Sequence, residues 1–443
     1  MDMPTLDLAA TPRTRNRAVD AYRAAAMCAV TVGHWLAAAV VVEADGSLGG
    51  RNALDAMPGL HWLTWLFQVM PLFFCLGGFA NAASLDAQLR RDGRRADWVA
   101  ARLRRLTQPT AILAGTWLTV LAASAATSTA SAVVAAASAI AAIPLWFLAN
   151  YVVDTALAPV TLRLHRRHGA RFAGGLLATC VALEVTRLAG VPYLSKVNIV
   201  LGWMFFQVLG FWWRDGMLPA GRRLLVAAGG SLGTAAALVA LGPWPLALVT
   251  VPGADFSNTW PPSLALVAYG IGTCALAIAA APAVTRLLER RPRAWFTVAA
   301  ANTITMTVYL WHFSAITIAG GAFYALGLIG DAPIGSASWW ATKAAMMVAA
   351  FGVLSVIVRL VGGRERAGLL AADEAEGHGV AEIAAVALLL AAGFEAWTLA
   401  QGDEALAVAG MAALLVGRAA LTRPTSRSRP FVGRFGPATA PGA

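Results

Sequence analysis

Apolar runs of about twenty residues recur from Val19 almost to the C-terminus, and this pattern constrains the fold more than any other feature. An α-helix rises about 1.5 Å per residue, so each run is long enough to cross a hydrocarbon core about 30 Å thick. Only 13% of the 443 residues are charged, about half the fraction usual in soluble domains. The chain is therefore predicted to be an all-α, polytopic transmembrane protein.

The apolar runs predict about twelve transmembrane helices. They lie near residues 18–42, 59–85, 108–126, 142–162, 172–189, 197–213, 224–249, 262–285, 297–320, 337–361, 380–400 and 404–420. The first run is too long for a signal-peptide core and contains an arginine and a histidine, which predicts an uncleaved first helix. No soluble domain is expected beside these helices.

The arginines provide an independent test of this topology, because short cytoplasmic loops of membrane proteins are rich in Lys and Arg. With the N-terminus inside, 30 of the 32 arginines fall on the cytoplasmic side, and the exceptions are Arg51 and Arg187. Both termini are therefore predicted to be cytoplasmic. The net charge of +11 is explained by this asymmetry, and no basic patch indicates nucleic-acid binding.

The four cysteines fall singly within apolar segments, at Cys28, Cys75, Cys180 and Cys274. This spacing indicates neither a disulfide framework nor a metal site. We interpret them as small packing residues, and no metal cofactor is predicted.

Ionisable side chains inside a membrane are costly and therefore mark functional sites. The first helix carries Asp20, Arg23 and His34. Arg23 and His34 are eleven positions apart, which places them within about 20° of one helix face and about 16 Å apart along the axis. The alternative is an arginine reaching the interface and a histidine bonded between helices. Glu184 and Arg187, three positions apart, predict an ion pair within one helix.

Several short motifs share the order and spacing of a known family. Residues 17–23 with Gly33-His34, Pro71 to Phe79, Arg102-Leu-Arg-Arg105, Trp146-Phe-Leu148, and Asn302 through Tyr309-Leu-Trp-His312 together resemble the acyltransferase-3 family. Residues 257–263 resemble actinobacterial members. The sequence departs from the family at Gly77, where the family usually has a serine.

The resemblance implies a ten-helix core over residues 18–361, preceded by a cytoplasmic tail at 1–17. An additional hairpin at 380–420 and a disordered cytoplasmic tail at 421–443 would follow. It also implies acyl transfer from cytoplasmic acyl-CoA, with acetyl-CoA as the expected donor, in a bacterial inner membrane. The acceptor would be a hydroxyl of an envelope glycan, a glycolipid or a secondary metabolite.

The residue types fit this chemistry. His34 is the predicted general base, since an imidazole exchanges protons near neutral pH. Arg23, Arg102 and Arg105 are predicted to bind the donor's phosphates, because a guanidinium can bind phosphate with two hydrogen bonds. Asn302, Tyr309 and His312 are candidates for the acceptor site. The alternatives are plain topological charge for Arg102 and Arg105, and helix–helix hydrogen bonds for the last three.

A twelve-helix transporter is the main rival interpretation. Many transporter folds contain internal repeats, and none is evident between the halves of this chain. A membrane acyltransferase of a different fold is disfavoured by the Arg23–His34 spacing on the first helix.

Overall fold

The computed structural model describes residues 15–127, 131–191, 193–371, 378–401 and 403–422. The α-helices in this part of the chain are α1 (Arg17–Ala37), α2 (Ala53–Ala56), α3 (Thr64–Phe67), α4 (Met70–Leu89), α5 (Arg95–Thr127), α6 (Ser131–Ala142), α7 (Leu145–His168), α8 (Ala170–Leu188), α9 (Asn198–Arg214), α10 (Arg222–Leu241), α11 (Leu264–Arg290), α12 (Pro292–Ala325), α13 (Ala337–Ala371), α14 (Val380–Leu399) and α15 (Glu404–Thr422). Short 3₁₀ helices occupy Pro58–Leu63 and Leu194–Val197. The predicted all-α architecture is confirmed.

Nine helical stretches within the described residues are long and apolar enough to cross a membrane. The chain is therefore a multi-pass membrane protein. Helices α1, α8 and α12 are also long but less apolar, because they carry the polar residues singled out above. The count of twelve spans and the orientation of the termini stay predictions. The two predicted tails, 1–17 and 421–443, lie mostly outside the described residues, since the description begins at residue 15 and ends at residue 422.

The first helix is shorter than predicted, because residues 38–42 form a strand. Here β1 (Ala38–Val42) pairs antiparallel with β2 (Leu48–Asn52). The three consecutive valines of β1 favour extended backbone, and Gly46 supplies a positive φ of 80° in the turn. Helix α10 likewise ends at Leu241, before a glycine and a proline, rather than at residue 249.

Two further boundaries differ from the prediction. Helix α5 begins at Arg95 rather than near residue 108, so Arg102 and Arg105 lie on a helix and not in a connecting loop. The predicted loop after residue 126 contains α6, whose alanine-rich sequence has high helix propensity. Helices α6 and α7 together form the apolar stretch Val133–His168.

Helices α4 and α9 pack with their backbones in close approach. A Cβ added at Gly78 would lie 2.0 Å from the carbonyl oxygen of Gln207, and one added at Gly210 would lie 2.0 Å from that of Cys75. Small residues at such crossings let van der Waals packing hold helices together in lipid, where the hydrophobic effect contributes little. These two glycines therefore fix the position of α4 against α9.

The C-terminal pair, α14 and α15, packs on the core. Helix α14 contacts α7, and α15 contacts α5. The indole nitrogen of Trp397 donates a hydrogen bond of 3.2 Å to Ser138 on α6. The pair therefore supports the helices that carry Arg102 and the tryptophan motif at residue 146.

An ionic cluster joins α4 and α7 to the residue that follows α9. The Arg166 guanidinium donates two hydrogen bonds to Asp86, of 2.8 and 2.9 Å, and two of 2.9 Å to Asp215. His165 and Arg214 lie near the same carboxylates. The hydrogen bonds from Arg166 hold the pKa of Asp215 below its usual value. This cluster therefore ties three elements together.

Candidate active site

The centre of the candidate site is a pair of histidines on two adjacent helices. His34 on α1 and His312 on α12 are joined by a hydrogen bond of 2.9 Å between Nδ1 of His34 and Nε2 of His312. Their rings are stacked, with centroids 5.1 Å apart and 9° between planes. Trp35 donates a hydrogen bond of 2.8 Å from its indole nitrogen to the carbonyl of His312. The structure therefore brings together two predicted residues that are 278 positions apart.

The hydrogen bonds determine which nitrogen of each neutral ring carries a proton. Nδ1 of His312 lies 2.6 Å from the carbonyl oxygen of Tyr309, and a carbonyl only accepts, so this nitrogen carries the proton. Nε2 of His312 is then the acceptor, and Nδ1 of His34 must donate to it. Nε2 of His34 is left with a free lone pair.

That nitrogen is available for chemistry. His34 is partly exposed, and its Nε2 makes no hydrogen bond to any residue that the structure describes. His312, by contrast, is fully buried with both ring nitrogens bonded. Of the two, only His34 presents an unoccupied proton acceptor.

Tyr309 supports the pair rather than facing an open space. It is buried, and its hydroxyl donates a hydrogen bond to the carbonyl of Pro144, the residue before α7. Its own carbonyl orients His312. The hydroxyl therefore makes a hydrogen bond between helices, which the sequence analysis gave as the alternative to a role in the acceptor site.

Asn302 is not brought to the histidine pair. Its amide nitrogen donates hydrogen bonds of 2.9 Å to the carbonyls of Asp20 and Val298. It precedes His312 by ten residues on α12, which corresponds to about 15 Å along the helix. Asn302 therefore lies beside the start of α1, at the Arg23 end of the candidate site.

The three predicted arginines belong to one electrostatic group. Arg102 is close enough to interact electrostatically with Arg23 and Arg105. It is held by hydrogen bonds to α4, of 2.5 Å to the Ser84 hydroxyl and 3.2 Å to the Ala80 carbonyl. The three residues, named here the arginine group, place positive charge from α1 and α5 at one end of the site.

Asp20 is a partner that the sequence analysis did not assign. It forms an ion pair with Arg15, and Nη1 of Arg23 lies 3.9 Å from its other carboxylate oxygen. The Arg23 side chain keeps about a third of its surface exposed. The sequence signal for this contact was the spacing of three positions between Asp20 and Arg23 on α1, which places both side chains on one helix face.

The departure at Gly77 has a structural explanation. A Cβ added there would lie 2.6 Å from Cε2 of Tyr151 on α7, closer than carbon atoms pack. Tyr151 therefore fills the space next to Gly77. Tyr151 lies three residues after the end of the tryptophan motif, but nothing in its spacing predicted this contact.

The remaining predicted features lie outside this site. Glu184 and Arg187 form the predicted pair, at 3.5 Å, and Arg187 also donates to the carbonyls of Ser257 and Pro261. In the part of the chain that the structure describes, no group of three or more His, Cys, Asp or Glu side chains could hold a metal ion.

A family model described as an acyltransferase domain matches residues 16–359. The match spans every predicted site residue, from Arg23 to His312, and ends within α13. Neither the curated proteins nor the solved structures contain a significant match. The match disfavours the transporter interpretation and covers well over half of the chain, and this multi-pass membrane protein therefore belongs to the acyltransferase-3 family.

Proposed function

We propose that this protein transfers an acetyl or other short acyl group from cytoplasmic acyl-CoA to a hydroxyl group. The acceptor would be an envelope glycan, a glycolipid or a secondary metabolite, and the membrane the inner membrane of a bacterium. The observation that carries the proposal is the free Nε2 of His34, oriented by the hydrogen bond to His312.

His34 acts as the general base. Its Nε2 takes the proton of the acceptor hydroxyl while the hydroxyl oxygen attacks the thioester carbonyl carbon. The carbon–sulfur bond then breaks, and the thiolate of CoA recovers the proton from His34. The products are an ester and free CoA. Such proton transfer typically accelerates a reaction by about 10²–10⁴-fold.

His312 supports this step through its lone pair. When His34 carries a second proton, its Nδ1–H still donates to Nε2 of His312, 2.9 Å away. A hydrogen bond from a charged donor is about twice as strong as a neutral one. The pair therefore stabilises His34 in the protonated state that forms during the reaction.

The arginine group binds the phosphates of the donor. Arg23 lies about 16 Å from His34 along α1, which is the scale of an extended pantetheine arm. One donor molecule can therefore place its phosphates at the arginine group and its thioester at His34. Arg105 is exposed and Arg23 partly so, as hydrated phosphates require.

The test is a transfer assay with purified protein in nanodiscs. Labelled acetyl-, propionyl- and butyryl-CoA are incubated with envelope fractions, and the product is identified by mass spectrometry. We expect a labelled ester that mild alkali hydrolyses, and its absence with the His34→Gln variant. If the parent protein transfers no label from any of the three donors, the proposed function is wrong.

A further inference from the structure

Tyr151 has an aromatic ring fixed by its neighbours and a hydroxyl that none of the described residues engages. The ring stacks on Phe147, with centroids 5.3 Å apart and 26° between planes, and packs against Phe74 at 6.1 Å. The hydroxyl makes no hydrogen bond within the described part of the chain, yet the residue is only partly buried. A hydroxyl held in this way is available to a bound ligand.

The glycine at position 77 leaves room for this hydroxyl. The Tyr151 oxygen lies 3.0 Å from the point where a Cβ of residue 77 would be. Any larger residue at this position would displace the ring. The phenol therefore replaces, from α7, a polar group that a serine would present from α4.

The position of Tyr151 lies between the two ends of the proposed donor site. Towards one end, its side chain lies near that of Arg102 in the arginine group. Towards the other, Phe147 contacts the edge of Tyr309, with centroids 5.6 Å apart. Tyr151 follows Pro144, the partner of the Tyr309 hydroxyl, by seven residues, or about 10 Å of helix.

We propose that the Tyr151 hydroxyl hydrogen-bonds an amide of the donor's pantetheine arm. This inference rests on the proposed function, because it assumes an acyl-CoA donor reaching from the arginine group to His34. An arm with two amides that crosses an apolar interior needs polar partners, since an unpaired amide there costs free energy. Phe147 and Phe74 hold the phenol ring in place for this contact.

The test compares Tyr151→Phe with the parent protein on three acetyl donors. Acetyl-CoA contains the phosphates and the arm, acetyl-pantetheine contains the arm alone, and S-acetyl-2-mercaptoethanol contains neither. For the variant we expect the KM of the first two donors to rise about 3- to 10-fold, the range of one neutral hydrogen bond. Its kcat/KM for the third donor should equal that of the parent.

Two further variants make the result specific. Arg102→Gln should raise the KM of acetyl-CoA only, because acetyl-pantetheine lacks the phosphates. Tyr324→Phe removes a hydroxyl that is bonded to Gly46 far from the site and should change none of the three constants.

Each unfavourable outcome has a distinct meaning. A Tyr151→Phe variant with parental KM values for all donors would overturn the inference and leave the proposed function intact. An equal loss on all three donors, with a lower melting temperature, would show that Tyr151 is structural and would overturn it too. A parent protein that uses none of acetyl-, propionyl- and butyryl-CoA would overturn the proposed function itself.

Discussion

Replacing His34 with glutamine should abolish most acyl transfer while leaving the protein assembled. Glutamine cannot take the acceptor's proton near neutral pH, so the contribution of the general base is lost. That contribution is about 10²–10⁴-fold in turnover, equivalent to about 2.7–5.4 kcal/mol in the activation barrier. The assay is the release of free CoA thiol by purified protein in nanodiscs.

The structure also gives the cost in stability. After a change of side-chain rotamer, the glutamine amide can still donate to Nε2 of His312, so this buried acceptor stays paired. What is lost is ring packing against His312 and Phe313, at centroid distances of 5.1 and 4.9 Å, worth about 0.5–1.5 kcal/mol for each contact. We therefore expect a melting temperature only a few degrees below that of the parent.

Alanine is the informative comparison, and His168 the matched control. His34→Ala also leaves Nε2 of His312 unpaired, which costs about 1–3 kcal/mol more, so it should be clearly less stable than His34→Gln. His168 is exposed at the end of α7, and His168→Gln should alter neither activity nor stability. A turnover of His34→Gln within a few-fold of the parent would refute the assignment of His34 as base.

Three other results follow from the geometry. Arg23→Ala should raise the KM for acyl-CoA with little loss of stability. Lysine at this position should restore only part of the affinity, because it lacks the planar fork of the guanidinium. An unchanged KM and turnover in the alanine variant would show that Arg23 is only a topological anchor. Gly210→Ala should reduce the yield of folded protein in size-exclusion chromatography, because its Cβ would lie 2.0 Å from a backbone oxygen. The control is Gly233→Ala, whose Cβ meets nothing within 4 Å and which should behave like the parent. Arg166 holds the pKa of Asp215 in the folded protein below its pKa in the unfolded chain. The cluster should therefore stabilise the protein fully at a pH above the unfolded-state pKa, and progressively less as the pH falls through the folded-state pKa. The melting temperature of Arg166→Ala should depend less on pH in this acidic range, and an unchanged dependence would contradict this linkage.

The helices were predictable because the bilayer imposes a simple local rule. Backbone groups in hydrocarbon must bond within their own segment, so an apolar run of sufficient length becomes a helix. The rule is weakest where polar residues interrupt a run or where strand formers follow one. That explains why residues 38–42, read as the end of the first helix, form a strand paired with Leu48–Asn52.

The parts of the site that lie on one helix were also predictable. Arg23 and His34 share a face of α1 because helix periodicity alone sets their spacing. The roles of Asn302 and Tyr309 were not fixed in this way. Their side chains bond to Asp20 and to Pro144, and no spacing within α12 reveals a partner on another element.

The sequence by itself determined a membrane-spanning helical chain with a histidine and an arginine at opposite ends of one helix. Only the tertiary structure decided that His312 meets His34, that its bond to Tyr309 frees Nε2 of His34, and that Tyr151 fills the space beside Gly77. The physical reason is that contacts between helices depend on their relative rotation and depth. Those are set by close packing of side chains on many helices together, whereas hydropathy records only that each helix lies in the membrane.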